Sequence, residues 1–300
     1  MDARPAPLRA SVARFARGSF LCGAVHESLC GVASRDPEDW LRAACATYEF
    51  DLRGVFRGRG QHAWPLTATD EIDLEAKLAA GGHLLPLPKE SAALANVIEV
   101  SLADFLLGRA VAEGLTAARG TERGYPDIEL SGPGFGGGYH AVDIKVARRG
   151  VTKKGPSNYT QSRITLYTGN TYFRYPQLHW PGTFRPFNDY ASHLDVIAIY
   201  TLDPDSAARV RDLELIVQEP WRIASKQRSS TTREYLGAVQ SIDDLRAGRG
   251  EFATPEEFYK YWRRFKFKIG PAVQKQLDKL LAGQQAPAGV VEEPPEGLST

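Results

Sequence analysis

The stretch Tyr125-Pro126-Asp127-Ile128-Glu129-Leu130, the glycine-rich octet Ser131 to Gly138, and Tyr139-His140-Ala141-Val142-Asp143-Ile144-Lys145-Val146-Ala147 decide how the chain is read. Glycine and proline in the octet mark a turn, and the flanking apolar and aromatic residues predict strands at 125–130 and 140–147, joined as a hairpin. Side chains alternate along a strand, so Asp143 and Lys145 project from one face and Val142 and Ile144 from the other. Pairing of the two strands brings Asp127 close to Asp143. Two carboxylates held that close repel unless a proton or a cation sits between them. Magnesium suits such a pair, because it prefers hard oxygen ligands, keeps several waters and takes one or two carboxylates together with substrate phosphate oxygens.

The chemistry that follows is hydrolysis of a phosphodiester. Attack of water builds negative charge on the phosphoryl oxygens, which a metal and a cation stabilise, and the metal lowers the pKa of its bound water. Lys145 is placed to orient that water or to neutralise the developing charge. The apolar residues Leu94, Val97, Ile98, Leu102, Phe105, Leu106 and Val111 recur at helical intervals and predict a long helix from Ser91 to Glu113, ended by Gly114, which carries Glu99 as a further candidate ligand. The competing interpretation makes Asp127 a turn residue and Asp143 with Lys145 a solvated strand face. His140 is expected to pack rather than to bind metal, and His179 and His193 have no partner at ligand spacing. The run Gly136 to Gly138 is expected to be a flexible hairpin turn. No helix follows it, so it is no phosphate cradle, and no nucleotide cofactor is expected.

Outward from the hairpin the pattern is mixed. Ser34 to Pro37 starts a helix over Asp39 to Tyr48, and Glu49 to Val55 has the look of a strand. Leu78 to Glu90, with its glycines and prolines, is expected to loop out, as part of an insertion at 70–90. Further strands are expected at 164–173, 194–201, 213–218 and 221–224. Thr254 with Pro255 and Glu257 forms a capping box, and Phe258, Tyr261, Trp262 and Phe265 should face inward. The tail from Ala286 to Thr300, rich in proline and glutamate, cannot bury enough surface to order itself.

Composition sets the outer bounds. With 300 residues, 43% hydrophobic and 24% charged, the chain can build a sizeable core, and no apolar run approaches a membrane span. The net charge of +1 hides basic clusters at Arg148 to Lys154, Arg222 to Arg233 and Arg263 to Lys268, whose local fields would steer a polyanion. Cys22, Cys30 and Cys45 lack the paired spacing of a zinc site or a disulfide framework, and a reducing cytoplasm fits them. The arginine-rich stretch Arg4 to Arg17 resembles a transit peptide, but Leu8, Val12 and Phe15 at helical spacing favour an amphipathic helix that docks on the core or on a second subunit.

Taken in order, these residues resemble the EcoRV family of restriction endonucleases within the broad PD-(D/E)xK nuclease group. The likeness includes Phe50-Asp51-Leu52 with Gly54, Trp64-Pro65-Leu66, Glu99, Tyr125-Pro126-Asp127 and Asp143-Ile144-Lys145. It continues through Thr165-Leu166, Phe173-Arg174, Pro186-Phe187, Tyr190, His193, Tyr200-Thr201, Trp221, Ile223-Ala224, Gly237, Gly248, Gly250, Phe252, Glu257-Phe258 and Tyr261-Trp262-Arg263. The resemblance implies an α/β, restriction-endonuclease-like fold with a central mixed β-sheet flanked by helices. It divides the chain into an N-terminal arm (1–35), a nuclease domain (36–275) and a C-terminal helix end with a tail (276–300). It also implies Mg2+-dependent cleavage of double-stranded DNA by a homodimer at a palindromic site, with blunt ends and 5′-phosphates. Asp127, Asp143, Lys145 and Glu99 become the catalytic set, and Asp127, Asp143, Glu99 and Ile144 the metal set.

The chain departs from the family after Trp221-Arg222-Ile223-Ala224. The family's base-reading loop is rich in glycine and asparagine, whereas here Lys226, Gln227, Arg228, Ser229, Ser230, Thr231, Thr232 and Arg233 supply cationic donors. Arginine and lysine pair best with guanine and glutamine can read adenine, so a different site containing guanine is expected. Arg148, Arg149, Lys153 and Lys154 are expected to track phosphates. Two rival functions remain at this point, a monomeric nicking repair endonuclease of the same group and a catalytically silent DNA-binding module.

Overall fold

The computed structural model describes residues 34–50, 70–79, 91–121, 124–203, 209–230 and 234–285. In chain order the elements are α1 (Pro37–Cys45), α2 (Glu71–Ala79), α3 (Ser91–Ala112), β1 (Thr116–Arg119), β2 (Ile128–Ser131), β3 (Tyr139–Thr152), β4 (Gly155–Thr160), β5 (Thr165–Thr168), β6 (Ser192–Leu202), β7 (Val210–Gln218), α4 (Pro220–Ile223), β8 (Ala224–Arg228), β9 (Tyr235–Ala238), α5 (Ile242–Ala247), α6 (Pro255–Arg264) and α7 (Pro271–Gln285). The main sheet runs β1-β2-β3-β6-β7, with β4 paired to β3, and a smaller sheet runs β5-β9-β8. Only β3 and β6 are parallel, so the main sheet is mixed, and helices flank it as expected.

Burial on both faces explains the central strand. From Leu194 to Thr201 every residue of β6 is buried, the near-continuous apolar pattern of a strand covered on both sides. On one face Val142, Ile144, Leu194, Val196, Ala198 and Tyr200 meet α1 and α3. Helix α3 presents Leu94, Ile98, Leu102, Leu106 and Ala110, spaced by four residues, to that layer, while Val111, expected inside, is exposed. On the other face Ala141, Ala147, Ile197 and Ile199 pack with the small sheet, α5 and α6. A satellite cluster of Leu178, Trp180 and Leu277 seats α7.

Several expected bounds move. The strand expected at 125–130 begins only at Ile128, because the register that pairs Ile128 with Val142 would set Pro126 opposite Ile144, and proline has no N–H for a ladder. The strand expected at 164–173 is β5 followed by a wide π turn at Gly169–Phe173. The strand expected at 221–224 is instead the short helix α4, with Pro220 at its first position, and extended structure starts at Ala224. Residues 71–79 of the expected insertion form α2, while the strand at Glu49 to Val55 falls almost wholly outside the described residues. So do Asp51-Leu52, Gly54, Trp64-Pro65-Leu66, the loop at 80–90, the arm before Ser34 and the tail after Gln285.

The glycine-rich turn is packed, not loose. Gly136 and Gly137 hold φ of 76° and 80°, which favour glycine, and between them and β2 a 3-10 turn buries Phe135 edge-on against Trp40, ring centroids 5.5 Å apart. His140 packs as expected, with Nε2 3.0 Å from the Phe135 carbonyl and Nδ1 2.9 Å from Ser192 Oγ.

The cap of α6 forms as expected. Thr254 Oγ1 accepts from the Glu257 N–H, and Glu257 Oε2 accepts from the Ala253 N–H. Phe258 and Trp262 are buried, and Tyr261 and Phe265 pack at the margin of the same core. Thr254→Ala should lower unfolding free energy by about 1 kcal/mol. Trp262→Ala should lower it by about 3–5 kcal/mol. Urea denaturation measures both, and equal costs would mean that α6 is held by its cap rather than by its buried face.

Candidate active site

Asp143 and Lys145 project from the same face of β3, with Lys145 Nζ 2.6 Å from Asp143 Oδ2. Asp127 sits just before β2 and reaches the same place by another route: its Oδ2 accepts from the Ile144 N–H at 2.6 Å. The N–H and C=O of one strand residue point to the same side, so the Ile144 carbonyl faces the Asp127 side as well, where Pro126 offers it no donor. The Ile144 side chain itself lies in the α1/α3 core, leaving its main chain as the part that faces Asp127.

A fourth charge, absent from the motif, completes the cluster. Asp195 on β6 stands in register with Asp143, is fully buried, and neither carboxylate oxygen has a hydrogen-bond partner among the described residues. Burial raises its carboxyl to about 7 against the pull of Lys145, and Asp127 adds to the rise. Asp143 is likewise raised by burial, with Lys145 opposing and Asp127 and Asp195 adding. Burial pulls Lys145 down, but Asp143, Asp127 and Asp195 together outweigh it and hold the amine as ammonium. The one readable signal for Asp195 was an acid inside an otherwise apolar strand, Leu194-Asp195-Val196-Ile197-Ala198-Ile199-Tyr200.

Glu99 comes from α3 to the rim of a cleft of about 640 Å3 that Lys145, Ile144, Arg148, Arg163 and Tyr200 also line. Burial and the Asp127 carboxylate raise its carboxyl, and Lys145 partly offsets them. Thus Glu99, Asp127, Asp143 and Lys145 share one electrostatic neighbourhood. Among the described residues no three His, Cys, Asp or Glu side chains converge closely enough to chelate an ion by themselves.

The loop residues reach the same cleft through Arg163, which the motif did not flag. Its guanidinium donates to Gln227 Oε1 (2.8 Å), Ser225 Oγ (3.0 Å) and the Ala238 carbonyl (2.7 Å), and Thr165 Oγ1 lies 2.8 Å from Ser229 Oγ. Arg228 pairs with Glu234 at 2.8 Å, and Lys226 lies 3.6 Å from Glu257. Ser230 follows Ser229, while Thr231, Thr232 and Arg233 lie outside the described residues. Arg148 lines the cleft, with its Nε buried and unpartnered among the described residues. Arg149 is engaged by Glu214 at 3.3 Å, and Lys153 and Lys154 are exposed at the β3–β4 turn.

Behind the acids lies an aromatic wall. His193 stacks on Phe187 with centroids 3.9 Å apart, and its Nδ1 is 2.6 Å from the Tyr125 hydroxyl. Among the described residues His179 has no partner at ligand spacing, and its Nε2 lies 2.9 Å from the Thr183 carbonyl.

A mixed sheet that carries an Asp, an Asp and a Lys on its β2–β3 hairpin, at the edge of a basic cleft, defines the class of restriction-endonuclease-like nucleases. The model of the family described as restriction endonuclease EcoRV matches residues 61–282, and the chain belongs to that family. It is therefore an endonuclease with DNA as its substrate, in a family generally dependent on divalent metal. Comparison with curated protein sequences finds no match. No helix among the described residues is long and apolar enough to cross a membrane.

Burial drives the His193 imidazole down to about 3. Its folded value lies below the unfolded value of 6.5, so the neutral ring contributes fully above pH 6.5. That contribution falls by about 1.4 kcal/mol per pH unit as pH drops toward 3. In urea titrations between pH 6 and 4, His193→Gln should show a shallower loss of stability than the parent, and identical slopes would contradict a buried neutral imidazole.

Proposed function

We propose that the chain is a type II restriction endonuclease that uses Mg2+ to hydrolyse both strands of duplex DNA at a palindromic site, acting as a cytoplasmic homodimer and leaving blunt ends with 5′-phosphates. The observation that carries this reading is the meeting of Asp127, Asp143 and Lys145 around one stretch of β3, with Lys145 and Ile144 lining a cleft that Arg148 and Arg163 also wall.

The donors fit magnesium. Asp127 keeps Oδ1 clear of its bond to Ile144, Asp143 contributes a second carboxylate, and the Ile144 carbonyl adds a neutral oxygen. Few protein ligands, with phosphate and water supplying the rest, is the usual pattern for this ion. When bound it lowers the pKa of a coordinated water and neutralises charge on the phosphoryl group. Lys145, held as ammonium by its carboxylate neighbours, acts as a donor to the attacking water or the phosphate oxygen and not as a proton acceptor. Asp127 is fixed by the Ile144 N–H, so its carboxylate meets the phosphate without first losing rotamer freedom. Glu99, across the cleft, takes the accessory role, as a ligand or a second ion's partner. Arg148, Lys153 and Lys154 follow the phosphate backbone, with Arg149 joining if it leaves Glu214. Lys226 to Arg233 supply base and phosphate contacts, with guanine in the site.

Asp143→Asn should lower cleavage by more than the ~10–100-fold that loss of an outer-shell partner typically costs. It should leave duplex binding in place in a gel-shift assay. Supercoiled plasmid with Mg2+ should pass to linear product, and sequenced ends should be flush. Product that stops at nicked circles, with sedimentation as a monomer, would replace this reading by a nicking repair enzyme.

The contribution of the β8–β9 loop can be separated from phosphate tracking. Lys153→Ala should weaken all duplexes alike and shrink the salt slope by about one unit. Arg228→Ala should relax sequence choice, at a cost of about 1–3 kcal/mol in discrimination. Uniform weakening by both variants across a panel of duplexes would make Arg228 a phosphate contact.

A further inference from the structure

Two carboxylates, Asp143 and Asp195, and one ammonium share the buried face of β3 and β6, with Asp127 beside them, and the motif accounts for Asp127 and Asp143 but not for Asp195. Asp195 lies beside Asp143 on the neighbouring parallel strand, and neighbouring strands are about 4.8 Å apart. Lys145 stands in register with Ile197, two residues on, so Asp195 is its diagonal neighbour on the same face. The rest of that face is Ala141, Ile197 and aromatic rings, which offer the carboxylate no hydrogen bond among the described residues. A fully buried carboxylate with no partner is costly to keep, and Lys145 is the charge that acts on it most strongly.

Lys145 has a conflict of its own. It occupies Asp143 Oδ2 at 2.6 Å, the oxygen that a divalent ion on Asp127 and Asp143 would need. An ammonium and a divalent cation on one carboxylate repel, so loading the site has to move the lysine. We propose that Asp195 is a positioning residue that receives the Lys145 ammonium when a divalent cation takes Asp143. The transfer clears the cation site without sending the lysine into water. It also keeps Lys145 on the face where its charge is used, between the metal-bearing acid and the cleft. The inference rests on the reading of Asp127 and Asp143 as the cation site.

Mn2+ binding to the full chain, followed through the electron paramagnetic resonance signal of the free ion, tests the proposal without cleavage as a readout. Asp195→Asn keeps the shape and removes the charge. It should weaken Mn2+ binding by about tenfold in the parent, because Lys145 then competes for Asp143 with nowhere else to go. In a Lys145→Met background the same substitution should have an effect at least about threefold smaller, which makes the pair a double-mutant cycle. Weakening of similar size in both backgrounds would mean that Asp195 acts on the ion directly, and no weakening in the parent would mean that it does not act at all. Either result overturns the transfer.

Asp143→Asn separates this idea from the one beneath it. If that variant binds Mn2+ as tightly as the parent, the cation site itself has been misassigned. If it alone loses binding, only the role of Asp195 fails. The parent protein gives a second test that does not depend on the folding of variants. A crystal structure with Mn2+ should place Lys145 Nζ within hydrogen-bond distance of Asp195, and an ammonium still seated on Asp143 would overturn the proposal.

Discussion

Charge held out of water between two hydrophobic layers is the constraint on which the molecule is built. The β3–β6 pair is the one parallel pairing of the main sheet and is covered on both sides, which ordinarily excludes ionised groups. The face toward α1 and α3 is apolar at Val142, Ile144, Leu194, Val196, Ala198 and Tyr200. The opposite face breaks the exclusion at Asp143, Lys145 and Asp195. Removing a charge from water is tolerable only when opposite charges and hydrogen bonds compensate, and here one ammonium faces three acids. The imbalance makes the face a sink for positive charge, and Lys145 is the member of the group that also lines the cleft.

The hairpin geometry depends on where pairing stops. Because Pro126 cannot donate, β2 begins only one residue after Asp127, and the main chain of Ile144 is left facing a side chain instead of a strand. That side chain is Asp127, so an interruption of the ladder becomes the means of holding its carboxylate. The strand itself is braced as well. Buried Glu129 receives two bonds from Arg185, at 2.7 and 2.8 Å, and the same guanidinium lies 3.3 Å from the Tyr139 ring centre at the start of β3. Arg185 thereby ties the loop before β6 to both strands of the hairpin, fixing the register that places Asp143 against Asp195.

Periodicity revealed the elements whose packing is local. The four-residue spacing on α3, the cap of α6 and the alternation through Val142, Asp143, Ile144 and Lys145 each carry their own signal, and each forms as read. What was not legible depended on neighbours distant in sequence. Trp221 to Ala224 has the composition of a strand, but Pro220 at the helix start wins locally. Residues 164–173 are apolar enough for one long strand, yet Phe267 fills the space beside Gly169, and the chain bends there into a π turn. The burial of Phe135 beside the glycine turn is not legible along the chain, because Trp40, which receives it, lies almost a hundred positions earlier. Asp195 belongs to the site only because β6 runs parallel to β3, and no spacing rule along the chain can announce a contact made by strand order.

The wall that would meet DNA is arranged differently from the motif's suggestion of free cations. Arg228 is paired with Glu234, Lys226 lies near Glu257, Arg149 is held by Glu214, and Arg163 spends its donors on Gln227, Ser225 and a carbonyl. The Lys226–Glu257 pair is exposed and worth only about 0–1 kcal/mol because water screens it, whereas the Arg228–Glu234 and Arg149–Glu214 pairs are partly buried. A phosphate offers a stronger partner than an exposed glutamate when several cations bind together and counterions are released. The basic clusters are therefore masked in isolation and available on contact. A polyanion long enough to meet several of these cations at once would compete for all of them together, which a small phosphoester would not.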